Sequence, residues 1–139
     1  MSFRIRGYTE QMLSPISVEI DTGHPHALVL RVSGEVDIST VGTITRGFTS
    51  MLSTRRAGQD LVVIDVSGVS FFGSSGLAAL VECRHAAEKQ ALGLRLSGTS
   101  SAVLRPLEGT GLIRCFDWFP TLDAALESPD GSQPRVRTS

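Results

Sequence analysis

The chain has 139 residues, 41% of them apolar, with 13 basic and 14 acidic side chains. That length fits one domain, and the apolar share supports an ordinary core. The charges nearly cancel, so no basic stripe favours nucleic acid; no apolar stretch approaches the roughly 18 residues that cross a bilayer, and the start Met1-Ser2-Phe3-Arg4-Ile5-Arg6 lacks a secretory apolar core. The expectation is a cytoplasmic protein with neither nucleic acid nor membrane as partner.

Residues 1–12 show no clean periodicity and read as a flexible arm, in which Phe3, Ile5 and Tyr8 could still dock on the domain or a partner. The domain proper is expected over residues 13–128. Ile16, Val18 and Ile20 alternate with Ser17 and Glu19, a half-buried strand. The turn Thr22-Gly23-His24-Pro25 leads to a second strand, Ala27 to Val32, so the two form an antiparallel hairpin. Gly34-Glu35-Val36-Asp37 closes that strand, and Ser39 or Thr40 suits the N-cap of a first helix. Val41, Ile44, Phe48, Met51 and Leu52 make its apolar stripe, and Arg55, Arg56 and Gly58 end it. Leu61-Val62-Val63-Ile64 is a central buried strand. It continues to Val66 and then enters a short turn of small residues.

A second helix begins at Ser74-Ser75 and buries Leu77, Leu80, Val81, Cys83 and Ala87. Leu94 and Leu96 form a further strand. Ser100-Ser101 caps a third helix in which Pro106 predicts a kink or an early stop. Ile113 to Phe116 reads as a last strand, Pro120 starts a last helix, and Trp118 and Phe119 read as core lids. Residues 129–139 read as a disordered tail. The order is an α/β fold: a mixed, mostly parallel four- to five-stranded sheet with about four helices and right-handed crossovers.

The run Asp65-Val66-Ser67-Gly68-Val69-Ser70-Phe71-Phe72-Gly73-Ser74-Ser75-Gly76-Leu77 carries the most information. It puts hydroxyls at a helix N-terminus, where free N–H groups and the helix dipole favour negative charge. The run resembles the signature of STAS domains, in particular the bacterial anti-sigma factor antagonists, whose pattern is roughly D-φ-S-x-φ-x-F-φ-D-S-[ST]-G-L with φ apolar. Gly73 departs from it, standing where the pattern has aspartate. Gly34-Glu35-Val36-Asp37 with Thr40 resembles the family's G-E-φ-D-x-x-T segment, and Thr110-Gly111-Leu112 its C-terminal S/T-G-L segment. The resemblance covers about residues 13 to 127.

What it implies is an interaction protein rather than an enzyme. Unphosphorylated, it would bind an ATP-dependent anti-sigma factor kinase and free a sigma factor; phosphorylated, it would let go, and a serine phosphatase would reset it. Ser74 is the expected phosphorylation site, with Ser75 second. Asp37, Ser39, Thr40, Phe72, Gly73, Ser74, Ser75 and Gly76 are the expected partner-binding residues, since loops at strand C-terminal ends share one edge. Each also has a plainer reading: Ser74 or Ser75 as an N-cap, Asp37 as a turn or cap residue, Phe71 and Phe72 as packing, one of them exposed. Glycine at position 73 leaves three outcomes open: a tolerant kinase, weak phosphorylation, or constitutive binding.

Catalysis finds no support. G-x-S-x-G is absent around Ser74, no histidine is placed as a triad base, and no P-loop occurs. His24-Pro25-His26 is a poor zinc site, and no cofactor or metal is expected. Cys83 and Cys115 read as reduced core thiols. The alternative function is a STAS scaffold, or a ligand or redox sensor, without phosphorylation. A monomer or weak homodimer is expected.

Overall fold

A computed structural model describes the backbone of residues 2–7 and all atoms of residues 16–128. Six strands form one sheet in sequence order: β1 (Ser2–Gly7), β2 (Ile16–Asp21), β3 (Ala27–Val36), β4 (Leu61–Phe72), β5 (Gly93–Ser97) and β6 (Asp117–Phe119). β1, β2 and β3 pair antiparallel, and β3 to β6 pair parallel. The helices are α1 (Val41–Leu52), α2 (Ser74–Lys89), α3 (Ser101–Thr110) and α4 (Leu122–Glu127), with a 3₁₀ turn at Leu112–Cys115. The mixed, mostly parallel α/β sheet is the one expected, with one strand more than the expected four to five.

That extra strand comes from the arm. Residues 2–7 pair with β2 in unbroken register from Ser2–Asp21 to Gly7–Ile16. The physical reason is that β2 would otherwise present a row of unpaired backbone groups at the sheet edge. The expected tail, residues 129–139, and the rest of the arm, residues 8–12, lie outside the described residues.

Period-two alternation sorts the two faces of the sheet. Ile16, Val18 and Ile20 of β2, Leu28 and Leu30 of β3, and Val62 and Ile64 of β4 face the main core with Phe48 and Met51 of α1, Leu80 and Cys83 of α2, and Leu107 of α3. Val63 and Phe119 face the other way, onto Ala125 of α4. Arg95 is buried there: its guanidinium donates to the Ala125 and Ser128 carbonyls (2.6 and 2.9 Å) and sits 5.2 Å from the Phe119 ring centroid. This arginine satisfies carbonyls at the C-terminal end of α4 and so fixes the short helix. Trp118 and Phe119 are buried, as their reading as core lids requires.

Three boundaries differ from expectation. β4 does not turn after Val66 but runs on to Phe72. Its pairing with β3 slips twice, between Arg31–Asp65 and Ser33–Gly68 and between Gly34–Val69 and Glu35–Phe71. Each slip inserts one extra residue on β4, a bulge that a Ser/Gly-rich sequence disguises as a turn. Ile113 to Phe116 is not a strand: i→i+3 bonds from Arg114 to Gly111 and from Phe116 to Ile113 make a 3₁₀ turn, and the strand follows it. The last helix starts at Leu122, after Pro120, because Thr121 caps it by accepting from the Ala124 N–H at 3.1 Å. α3 holds Pro106 in a helix of ten residues, the short form expected.

Candidate functional site

The site is built by the register of β3 and β4. Val36 pairs with Phe72, and the Gly73 N–H donates to the Val36 carbonyl at 2.9 Å. The loop after β3, with Asp37 to Thr40, therefore meets the loop after β4, with Gly73 to Gly76, at one edge of the sheet.

Asp37 organises the first loop. Its carboxylate accepts from the Ser39 hydroxyl (2.7 Å), the Ser39 N–H (2.9 Å) and the Thr40 N–H (3.1 Å). Its carbonyl accepts the N–H groups of Thr40 and of Val41, the first residue of α1. Thr40 holds the N-cap position, yet its hydroxyl does not cap. It donates to the Glu35 carbonyl (2.8 Å) and accepts from the Asp37 N–H (3.0 Å). Thr40 is thus the N-cap by position, but no side chain caps α1; the Asp37 carboxylate instead holds the loop just before it, accepting from the Ser39 and Thr40 N–H groups. Thr40, expected among the partner-binding residues, is buried and braces the loop from inside.

The Ser39 hydroxyl, with the loop N–H groups adding to it, holds the Asp37 carboxyl below its ordinary value of 3.8. A lowered folded value means that the ionised carboxylate stabilises the loop at neutral pH, and that this stabilisation fades as pH falls through the folded value, below 3.8. Melting temperatures of wild type and Asp37→Asn, followed from pH 7 downward, are expected to differ at neutral pH and to converge below 3.8. A constant gap would show that the charge is not what holds the loop.

The second loop corrects the expected serine cap. Gly73, not a serine, is the N-cap of α2, and no side chain caps the helix. Ser74 is the first helical residue and is exposed; Ser75 is half-buried. Gly73 has φ −88° and ψ −176°, backbone that any residue adopts, and a Cβ there would meet nothing closer than 3.5 Å. The glycine is therefore not a steric necessity. Gly73→Asp is expected to fit, to cap α2 and to raise stability by a few tenths of a kcal/mol, since glycine is already a tolerable cap. A drop in melting temperature would contradict this.

The phenylalanines also change places. Phe72, expected at the partner surface, is only 8% exposed and belongs to the core, while Phe71 is 52% exposed. The bulges explain it: Val66, Val69 and Phe72 all point inward, a spacing of three where a regular strand has two. Gly76 is buried beneath Phe72, and a Cβ on it would lie 2.7 Å from that ring. Phe72, Thr40 and Gly76 shape the edge from within. Asp37, Ser39, Gly73, Ser74 and Ser75 are its accessible part.

Sequence reasoning missed Ile38, which is 85% exposed at the tip of the Asp37 loop. The signal was a lone isoleucine between two turn-forming polar residues, with no apolar face to join. Asp65 and Ser67 of the signature are structural: the Asp65 carboxylate accepts from the hydroxyls of Ser67 (3.1 Å) and Ser97 (3.0 Å), tying β4 to β5. Neither cysteine is in a disulfide. Cys83 is buried, and desolvation pushes its thiol up to about 12. Cys115 is exposed, not a core thiol as expected, because it sits in the 3₁₀ turn rather than in a strand.

A mixed sheet whose parallel strands end in two abutting loops, one carrying an exposed serine at a helix start, defines the class. The STAS domain model matches residues 17–125, and the chain belongs to that family. It is 29% identical over 125 residues to the anti-sigma-F factor antagonist RsfB of Mycobacterium tuberculosis, covering 88% of this chain and 98% of RsfB. The crystal structure of an anti-sigma factor antagonist from Mycobacterium paratuberculosis is similar at TM-score 0.66 and 30% identity, covering 80% of this chain and 91% of that one. The anti-sigma factor antagonist SpoIIAA in its unphosphorylated form shares the fold at TM-score 0.65 and 19% identity, over 79% of this chain and 93% of that one.

Proposed function

We propose that this protein is an anti-sigma factor antagonist that binds an anti-sigma factor kinase through the Asp37–Ser74 edge and is switched off by phosphorylation of Ser74. The observation that carries the reading is the state of Ser74. It is exposed at the start of α2, its hydroxyl caps nothing, and no acidic residue occupies the first turn. The hydroxyl is free to attack a phosphoryl donor. The product would add about −1.5 to −2 charges at a helix N-terminus, where the dipole and free N–H groups favour negative charge. The fold would tolerate the phosphate, while a partner packed on the same edge would have to desolvate it. The names of the similar mycobacterial proteins support the antagonist role.

The redox alternative loses weight at Cys83, whose buried thiol stays protonated at neutral pH and so lacks the reactive thiolate. The direct test is incubation with ATP and a purified anti-sigma factor kinase, followed by intact and peptide mass spectrometry. One phosphate on the peptide carrying Ser74, absent in Ser74→Ala, is the expected result. Phosphate on Ser75 would move the site, and no phosphate with a kinase that binds would favour the constitutive binder.

A further inference from the structure

Among the described residues two large apolar side chains are exposed, Ile38 and Phe71. Scattered exposed apolar residues are ordinary on a protein surface. Here both fall on one edge, beside the exposed Ser74: Ile38 follows the Val36–Phe72 pair on one strand, and Phe71 precedes it on the other. The loop cannot fold Ile38 inward. Asp37 gathers the N–H groups of Ser39 and Thr40, and Thr40 is anchored to the Glu35 carbonyl, so the chain on both sides of Ile38 is fixed. An apolar side chain on a backbone already fixed loses less freedom when it docks than one on a loose loop.

The Asp37 carboxylate, by contrast, spends one oxygen on its own loop and keeps its charge half-exposed. It already serves two N–H groups and the Ser39 hydroxyl. No acidic side chain stands in the first turn of either α1 or α2. The accessible patch therefore joins two large apolar side chains to hydroxyls and the Asp37 charge, and its apolar part matches an apolar pocket.

Building on the anti-sigma factor reading above, we infer that Ile38 is the apolar anchor of the docking edge, that Phe71 widens the same contact, and that Asp37 is a positioning residue that presents Ile38 rather than a contact itself. The partner's matching surface is an apolar pocket on the anti-sigma factor. A phosphate on Ser74 opposes that contact because an apolar pocket offers no compensation for a desolvated charge.

The test uses the full chain and the ATP-binding anti-sigma factors of the source genome, purified singly and titrated by calorimetry. Ile38→Ala is expected to weaken binding by about thirtyfold, as truncation of an interface anchor does, with an unchanged melting temperature. Asp37→Asn is expected to weaken binding in the wild-type background but to add no further loss to Ile38→Ala, the non-additivity of a residue acting through another. Ile38→Ala within twofold of wild type, against a partner that Ser74→Asp loses, overturns this inference and leaves the reading of the edge intact. Equal losses from Asp37→Asn in both backgrounds overturn the positioning role. If none of the panel binds the wild-type chain, the anti-sigma factor reading itself falls, and this inference with it.

Discussion

Ser74→Asp is expected to weaken binding to the anti-sigma factor by about a hundredfold or more, the scale of a desolvated, unpaired charge at an interface. The same substitution is expected to raise the melting temperature by about 1–3 °C. The stabilisation follows from the helix start: Ser74 opens α2, no acidic residue occupies the first turn, and no side chain caps it. An anion there is worth about 0.3–1 kcal/mol. The two effects have opposite signs, so lost binding cannot be ascribed to lost folding. Ser74→Ala, which removes the hydroxyl without adding charge, is expected to keep the partner. Calorimetry and thermal melts on the three proteins decide the matter. Unchanged affinity in Ser74→Asp would remove Ser74 from the interface.

Gly76→Ala is expected to destabilise the fold by about 1–3 kcal/mol, the cost of overpacking a filled site. Alanine is intrinsically better than glycine within a helix by about 0.5–1 kcal/mol. At Gly76 the overlap wins, because the new Cβ would sit 2.7 Å from two atoms of the Phe72 ring. That ring is itself packed in the main core, so moving it disturbs its neighbours there. Gly109 in α3 is the internal control: nothing lies within 4 Å of a Cβ built there. Gly109→Ala is expected to stabilise by about 0.5–1 kcal/mol. The same chemical change should thus lower the melting temperature at one glycine and raise it at the other. A rise at both would mean that the Phe72 ring is free to shift.

Much of the architecture was legible because the segments obey one period each. Ile16 to Ile20 alternates and is a strand; Val41 to Leu52 repeats at three and four and is a helix. What sequence alone could not show depends on pairing between distant segments. The second half of β4, Ser67 to Phe72, looks like a turn because its small residues are there to admit bulges against β3. Those bulges decide which of two adjacent phenylalanines is buried, and no local pattern contains that information. The serines looked like caps, but the cap position falls one residue earlier, at Gly73, because the strand runs longer than its composition suggests. The family motifs marked the candidate site; the arrangement within it came from the hydrogen bonds. Thr40 and Gly76 match those motifs and turn out to support the edge from beneath, whereas Ile38, which no motif marked, stands furthest out.

The most direct test is amide hydrogen exchange of the protein alone and bound to its anti-sigma factor, read by peptide mass spectrometry. Slower exchange over residues 35–40 and 70–77, with no change around His26, Asp60 and Gly93 where the parallel strands begin, is the predicted result. Protection confined to that opposite end, or to the polar sheet face around Arg31 and Asp65, would contradict the account.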